Sequence, residues 1–160
     1  MTPPLGTPSP ANRPRITVAA IAERNGRFLF VEERNGAGSL VINQPAGHLE
    51  GSETLIDAVV RECLEETGCR FRPESVVGLY LWSHPEAESG FLRVCFAGSA
   101  GEPDPSRELD EGIERVLWLN RAELAGEAGR LRSPLVLHGI DDYLAGERYS
   151  LSLLKSLISD

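Results

Sequence analysis

Lysine is almost missing from this chain: of its 16 basic residues only Lys155 is a lysine. No G-x-x-x-x-G-K run exists, which excludes a P-loop. Positive charge is also in the minority, 16 basic against 24 acidic side chains for a net charge of -8. A non-specific nucleic-acid binder needs clustered positive charge to displace counterions, so nucleic acid is not an expected partner. Cysteine is scarce: Cys63, Cys69 and Cys95, an odd count with no C-x-x-C. That argues against a disulfide framework and against a zinc site. Cys63 and Cys69 stand where small apolar residues fit and read as core thiols. No apolar run approaches the length that crosses a bilayer, and the segment from Met1 to Arg15 has no apolar stretch of the signal-peptide kind. A cytoplasmic location with no membrane partner is the resulting expectation. An acidic protein can still bind polyphosphates when a metal ion supplies the positive charge.

What is present fits one domain with a sizeable core: 160 residues, 41% hydrophobic and 25% charged. Residues 1–14 carry five prolines and few large apolar side chains, so a disordered leader is expected, followed by a single domain over 15–160. Ile16 to Glu23 and Arg27 to Glu33 are strand-like runs separated by Asn25-Gly26, the strongest short hairpin signal. Leu40 to Asn43 is a short extended piece. Val76 to Trp82 and Phe91 to Gly98 read as two more strands, and Val116 to Leu119 as another. Pro103 to Gly112 is acidic and loop-like. Asn120 with Glu123 resembles a capping box that starts a short helix. Pro134 suits the first turn of a last helix carrying Leu135, Val136, Ile140 and Leu144. The tail from Ser150 to Asp160 is moderately apolar and has no assigned place. Strands and helices alternate in a way that suits an α/β fold, an α/β/α sandwich around a mixed sheet.

One further helix carries the chemistry. It is expected from Glu53 or Thr54 to Thr67, with Thr54 and Asp57 as a capping box and Gly68 as the C-terminal cap. Ile56, Val60, Cys63 and Leu64 form one apolar stripe. Leu55, Ala58 and Val59 form a second, which Glu62, Glu65 and Glu66 continue. Like charges at i,i+3 and i,i+4 repel, so three carboxylates on one face need a reason. A divalent cation is the most economical one. Mg²⁺ takes carboxylate oxygens and keeps room in its shell for water and substrate phosphates.

Gly47, Glu53, Arg61, Glu62, Glu65, Glu66 and Gly68 fill every fixed position of the pattern G-x5-E-x7-R-E-U-x-E-E-x-G-U, where U is apolar. Cys63 and Cys69 occupy apolar slots, a mild departure. Seven fixed residues at about 7% usage each coincide by chance in about one window in 10⁸. The pattern resembles the signature of the Nudix hydrolases. The run Asn43-Gln44-Pro45-Ala46-Gly47-His48-Leu49-Glu50 is similar to the entry to that signature in the NudJ-type phosphatases. Phe91-Leu92-Arg93, Leu131-Arg132-Ser133-Pro134-Leu135-Val136 and Arg148-Tyr149 are further segments similar to that group.

The resemblance implies a Nudix fold and Mg²⁺-dependent hydrolysis of phosphoanhydrides, with Mn²⁺ as a second candidate cofactor. For the NudJ branch it implies nucleoside tri- and diphosphates and the pyrophosphate of the thiamine-precursor pyrimidine. The alternative is a pyrophosphohydrolase acting on ADP-ribose, nucleotide sugars or dinucleotides. Glu62, Glu65 and Glu66 are implied as metal ligands or water base, with the backbone carbonyl of Ala46 as a further ligand. Glu53 is a candidate to assist the metal water, and Arg61 is suited to orienting Glu65, four residues on. The base is open among Glu62, Glu65 and the loop residues Asp110 and Glu111. Arg93 and Arg132 are candidates to grip phosphate oxygens, and Trp82 and Phe91 to stack on a base or pyrimidine ring. The partner is a small-molecule phosphoanhydride; monomer and homodimer both stay open.

Overall fold

The computed structural model describes residues 13–87 and 89–158, so the expected leader falls almost wholly outside the described residues. Seven strands form one mixed sheet: β1 (Arg15–Arg24), β2 (Arg27–Arg34), β3 (Leu40–Asn43), β4 (Ala46–His48), β5 (Phe71–Trp82), β6 (Phe91–Ala100) and β7 (Ile113–Leu119). The order is β3-β2-β1-β6-β5, with β4 added to β1 and β7 to β2. Only β1 and β6 pair in parallel. Asn25 and Gly26 both take positive φ, 53° and 76°, as a two-residue hairpin between β1 and β2 requires.

The helices are α1 (Leu55–Thr67), α2 (Arg121–Gly126) and α3 (Leu135–Leu144), with 3-10 turns at Ala128–Arg130 and Leu151–Leu153. Alternation along β1 divides the core. Val18, Ala20 and Ala22 face α1 with Ala58, Val59 and Cys63. Ala19 and Ile21 face the other way, toward Leu124 of α2 and Val136 and Ile140 of α3. Helices therefore cover both faces of the sheet, the expected α/β/α sandwich.

The local signals for α1 are present. The Thr54 hydroxyl accepts from Asp57 N–H at 3.0 Å and the Asp57 carboxylate accepts from Thr54 N–H at 3.2 Å. Gly68 closes the helix at φ 74°, and its N–H donates to Leu64 C=O. Asn120 and Glu123 form the same reciprocal cap on α2. Both apolar stripes are buried in part: Cys63 of the first and Ala58 and Val59 of the second lie fully buried, whereas Ile56, Val60 and Leu64 of the first and Leu55 of the second stay half-buried.

Several elements differ from expectation, among them β7, which starts at Ile113 and not at Val116. Strand β4 is three residues long, too short for a sequence pattern to declare. Strand β5 starts at Phe71, ahead of the expected Val76, and passes through Pro73; it is an edge strand, where proline is tolerated, and its register shifts between Pro73 and Ser75. The tail finds a place as well: Tyr149 exchanges backbone hydrogen bonds with Val76 at 2.8 Å, and Leu151 and Leu154 pack on the α1-side core. All three cysteines are buried free thiols.

Candidate active site

Helix α1 passes behind β4, and the contact there is very close. A Cβ on Gly47 would overlap the Glu62 carboxyl group, so only glycine leaves Glu62 its place. The next turn brings Glu66 to the same strand, where its carboxylate accepts from Ala46 N–H at 3.0 Å. Glu62 and Glu66 thereby reach past β4 into a cavity of about 510 Å³ that Ala46, Gly47 and His48 also line.

Arg61 ties the acidic cluster together. It grips Glu53 with two nitrogens, Nε at 2.9 Å and Nη2 at 2.7 Å. Its Nη1 donates to Glu62 at 2.8 Å and to Glu65 at 3.1 Å, and Nη2 also donates to His48 C=O at 3.1 Å. The expected Arg61–Glu65 contact is present, but the fork geometry goes to Glu53. Glu53 Oε1 also accepts from Glu50 N–H at 2.9 Å. Its carboxylate is thus committed to bracing, held below the usual carboxylate range first by the Arg61 hydrogen bonds. Glu53 is not among the residues lining the cavity.

Carboxylate oxygens of Glu62, Glu65 and Asp110 all lie within 4.8 Å of one another. Asp110 comes from the acidic loop, which is docked on α1: Asp110 N–H donates to Glu65 C=O and Asp104 N–H to Gly68 C=O, each at 3.0 Å. Asp110, and not Glu111, is therefore the loop acid in the cluster. Burial pushes the Glu62 carboxyl up, opposed by Arg61 and reinforced by Glu65 and Asp110. Burial pushes Glu66 further, to about 9, against the Ala46 hydrogen bond and with help from Glu33, Glu62 and Asp110. Carboxyls gathered so tightly hold their charge more readily beside a cation. The donor set is all oxygen, the hard kind that suits Mg²⁺ or Mn²⁺ rather than a thiophilic metal. A divalent cation therefore fits the residues present.

The rest of the cavity wall comes from separate elements. Glu33 of β2 accepts from Asn43 Nδ2 and from Arg132 Nη1, both at 3.3 Å. Arg93 of β6 is 8% exposed and has no carboxylate within ion-pair reach among the described residues. It donates to Gln44 Oε1 at 3.3 Å and to Asn43 Oδ1 at 3.4 Å, both long. Burial holds its pKa below the usual arginine value. Trp82 and Phe91 stand at the mouth with ring centroids 6.2 Å apart and planes 17° apart. His84 meets Trp82 edge-on.

The structure thus brings Glu62, Glu66, Ala46, Arg93, Arg132, Trp82 and Phe91 to one cavity and sets Glu65 beside Glu62. Thr17 and Glu33 also line it and escaped the sequence reading. Thr17 lies inside an apolar strand run and Glu33 in a mixed Glu-Glu-Arg stretch, so neither carries a local signal.

The NUDIX domain family model matches residues 11–137. Phosphatase NudJ of Escherichia coli K12 is 39% identical over 142 residues, covering 89% of this chain and 91% of that protein. A Nudix hydrolase structure from Nitrosomonas europaea superposes with a TM-score of 0.87 at 43% identity, over 89% of this chain and 97% of that one. A MutT Nudix hydrolase from Burkholderia pseudomallei, 19% identical with a TM-score of 0.67 over 82% of this chain and 98% of that one, shares the fold. A complete signature, a family model spanning most of the chain, and relatives matched nearly end to end agree: this chain belongs to the Nudix hydrolase family.

Proposed function

We propose that the protein is a Mg²⁺-dependent phosphatase of the NudJ kind. It would hydrolyse phosphoanhydride bonds in nucleoside tri- and diphosphates and in small organic pyrophosphates such as the thiamine-precursor pyrimidine pyrophosphate. The observation that carries this reading is one cavity lined by the Glu62 and Glu66 carboxylates together with Arg93, Arg132, Asn43, Trp82 and Phe91. Such a cavity suits a small molecule that is anionic at one end and flat at the other. The 39% identity to Phosphatase NudJ supports that branch.

Glu62, Glu65, Glu66 and the Ala46 carbonyl would hold the metal, with Asp110 as a further ligand supplied by the docked loop. Bound there, a divalent cation supplies Lewis acidity to phosphate oxygens and a more acidic water. The protein supplies position. Arg61 fixes the carboxyl planes of Glu62 and Glu65 and leaves one oxygen of each outside its grip. Glu53 acts through Arg61 by holding the guanidinium in place. A proton released from the attacking water would pass to whichever of Glu62 and Glu65 keeps an oxygen off the metal. Arg132, at the rim beside Glu33, would meet substrate phosphate oxygens. Trp82 would lie against the organic group.

The test is phosphate release from GTP, GDP and the pyrimidine pyrophosphate, with Mg²⁺ and with EDTA. Release that requires the metal supports the proposal. Inertness toward all three, with nucleoside monophosphate formed from ADP-ribose, would move the chain to the nucleotide-sugar and dinucleotide branch.

A further inference from the structure

Two buried polar atoms of the described residues lack any partner, and they are neighbours: Thr17 Oγ1 and Arg93 Nε. Thr17 and Arg93 pair directly across β1 and β6, so both side chains leave the same face of the sheet. Thr17 is 7% exposed and Arg93 8%. An unpaired buried donor is costly, and two side by side on the floor of a cavity form a site and not a packing accident.

Their geometry selects the ligand. The two Nη atoms of Arg93 are turned toward Gln44 and Asn43. Those amides cannot swing away, because Gln44 Nε2 donates to Val136 C=O at 2.8 Å and Asn43 Nδ2 to Glu33. Each Nη thus already spends one N–H on a fixed amide, and an end-on fork to phosphate would compete with those bonds. Nε is the one Arg93 nitrogen with no partner, and beside the Thr17 hydroxyl it makes a pair that fits an acceptor next to a second polar atom along a flat edge. The adjacent row on the same face holds Phe91, two residues before Arg93, and its cross-strand partner Trp82. A ring lying along those aromatics would direct its edge at Thr17 and Arg93.

We propose that Thr17 and Arg93 form a specificity floor that hydrogen-bonds the edge of a nitrogen heterocycle, the organic end of the substrate. This assignment moves Arg93 from phosphate binding to ring recognition. It rests on the reading that the cavity holds an organic pyrophosphate.

Calorimetric titration in EDTA tests the floor without turnover. The probes are a matched pair, (pyrimidin-5-yl)methyl phosphate and benzyl phosphate, which differ only in the ring nitrogens. Wild type should bind the pyrimidine about tenfold tighter or more. Thr17→Val, which keeps shape and removes the hydroxyl, should lose most of that preference while its melting temperature equals or exceeds wild type, because an orphaned group is gone. Arg93→Gln should lose the preference too, leaving benzyl phosphate affinity unchanged. Equal binding of both probes by wild type would overturn the proposal. So would a parallel weakening of both probes in Arg93→Gln, which would return Arg93 to the phosphate. Turnover of the corresponding diphosphates with Mg²⁺ is scored separately, so a failure of the hydrolase reading shows there and leaves the ring preference to be judged by binding alone.

Discussion

Gly47 is glycine because the Glu62 carboxyl fills the volume a side chain would need. Gly47→Ala should push Glu62 out of line with Glu65 and Asp110 and lower kcat about 10²-fold, the scale of an ångström-sized misplacement. Steady-state phosphate release checks it, with circular dichroism to show an intact fold. Glu65→Gln keeps shape and removes charge, and should lower kcat by about 10²–10⁴-fold with an unchanged melting temperature. Near-normal turnover would remove Glu65 from the machinery. At this scale the acidic box was legible, since its residue types and spacings are fixed within 22 consecutive positions. Thr17 and Glu33 were not, because only strand pairing brings them to the cavity. Asp110 was one of several open choices until the loop's hydrogen bond to Glu65 set it in the cluster.

Helix α1 is specified by short-range chemistry at both ends, which is why its limits could be read from Thr54, Asp57 and Gly68. Thr54→Ala removes the hydroxyl that accepts from Asp57 and should destabilise by about 1 kcal/mol, a fall of about 3 °C in melting temperature for a chain of this size. Because the cap lies on the first turn and the acids on the later ones, kcat should hold. Thermal denaturation and kinetics on the same sample separate the two effects. Strands were less legible than helices. Alternation located β1, β2 and β6, but β4 has only three residues to show it, and Pro73 hid the start of β5. Which positions of the α1 stripes lie deepest depended on the sheet the helix meets, which the helix sequence does not encode.

At the scale of the whole molecule, β2 is clamped by charge to β7 and to the 3-10 turn at Ala128–Arg130. Glu32 of β2 is 4% exposed and accepts from Arg115 of β7 at 2.9 Å and from Arg130 at 2.6 Å. The Arg115 hydrogen bond, against burial and helped by the charges of Arg115 and Arg130, holds its pKa below the ordinary value. A carboxyl so depressed contributes stability that is fully present above its unfolded value, about 4.3, and is lost as pH falls through the folded one. Glu32→Gln should therefore cost about 1–3 kcal/mol near neutrality and flatten the loss of stability below about pH 4. Denaturant unfolding at several pH values reads both. The family-level architecture was legible from element order, whereas the partition of the core into an α1 side and an α2–α3 side needed the parallel β1–β6 pairing that no local pattern announces.

Mn²⁺ titration followed by electron paramagnetic resonance tests the proposed cation site on the acids of α1 directly. Wild type should take up Mn²⁺ with saturable binding that Mg²⁺ displaces, and Glu62→Gln and Glu65→Gln should each weaken it at least about tenfold. Uptake by both variants that matches wild type, or no saturable uptake by wild type, would contradict the account.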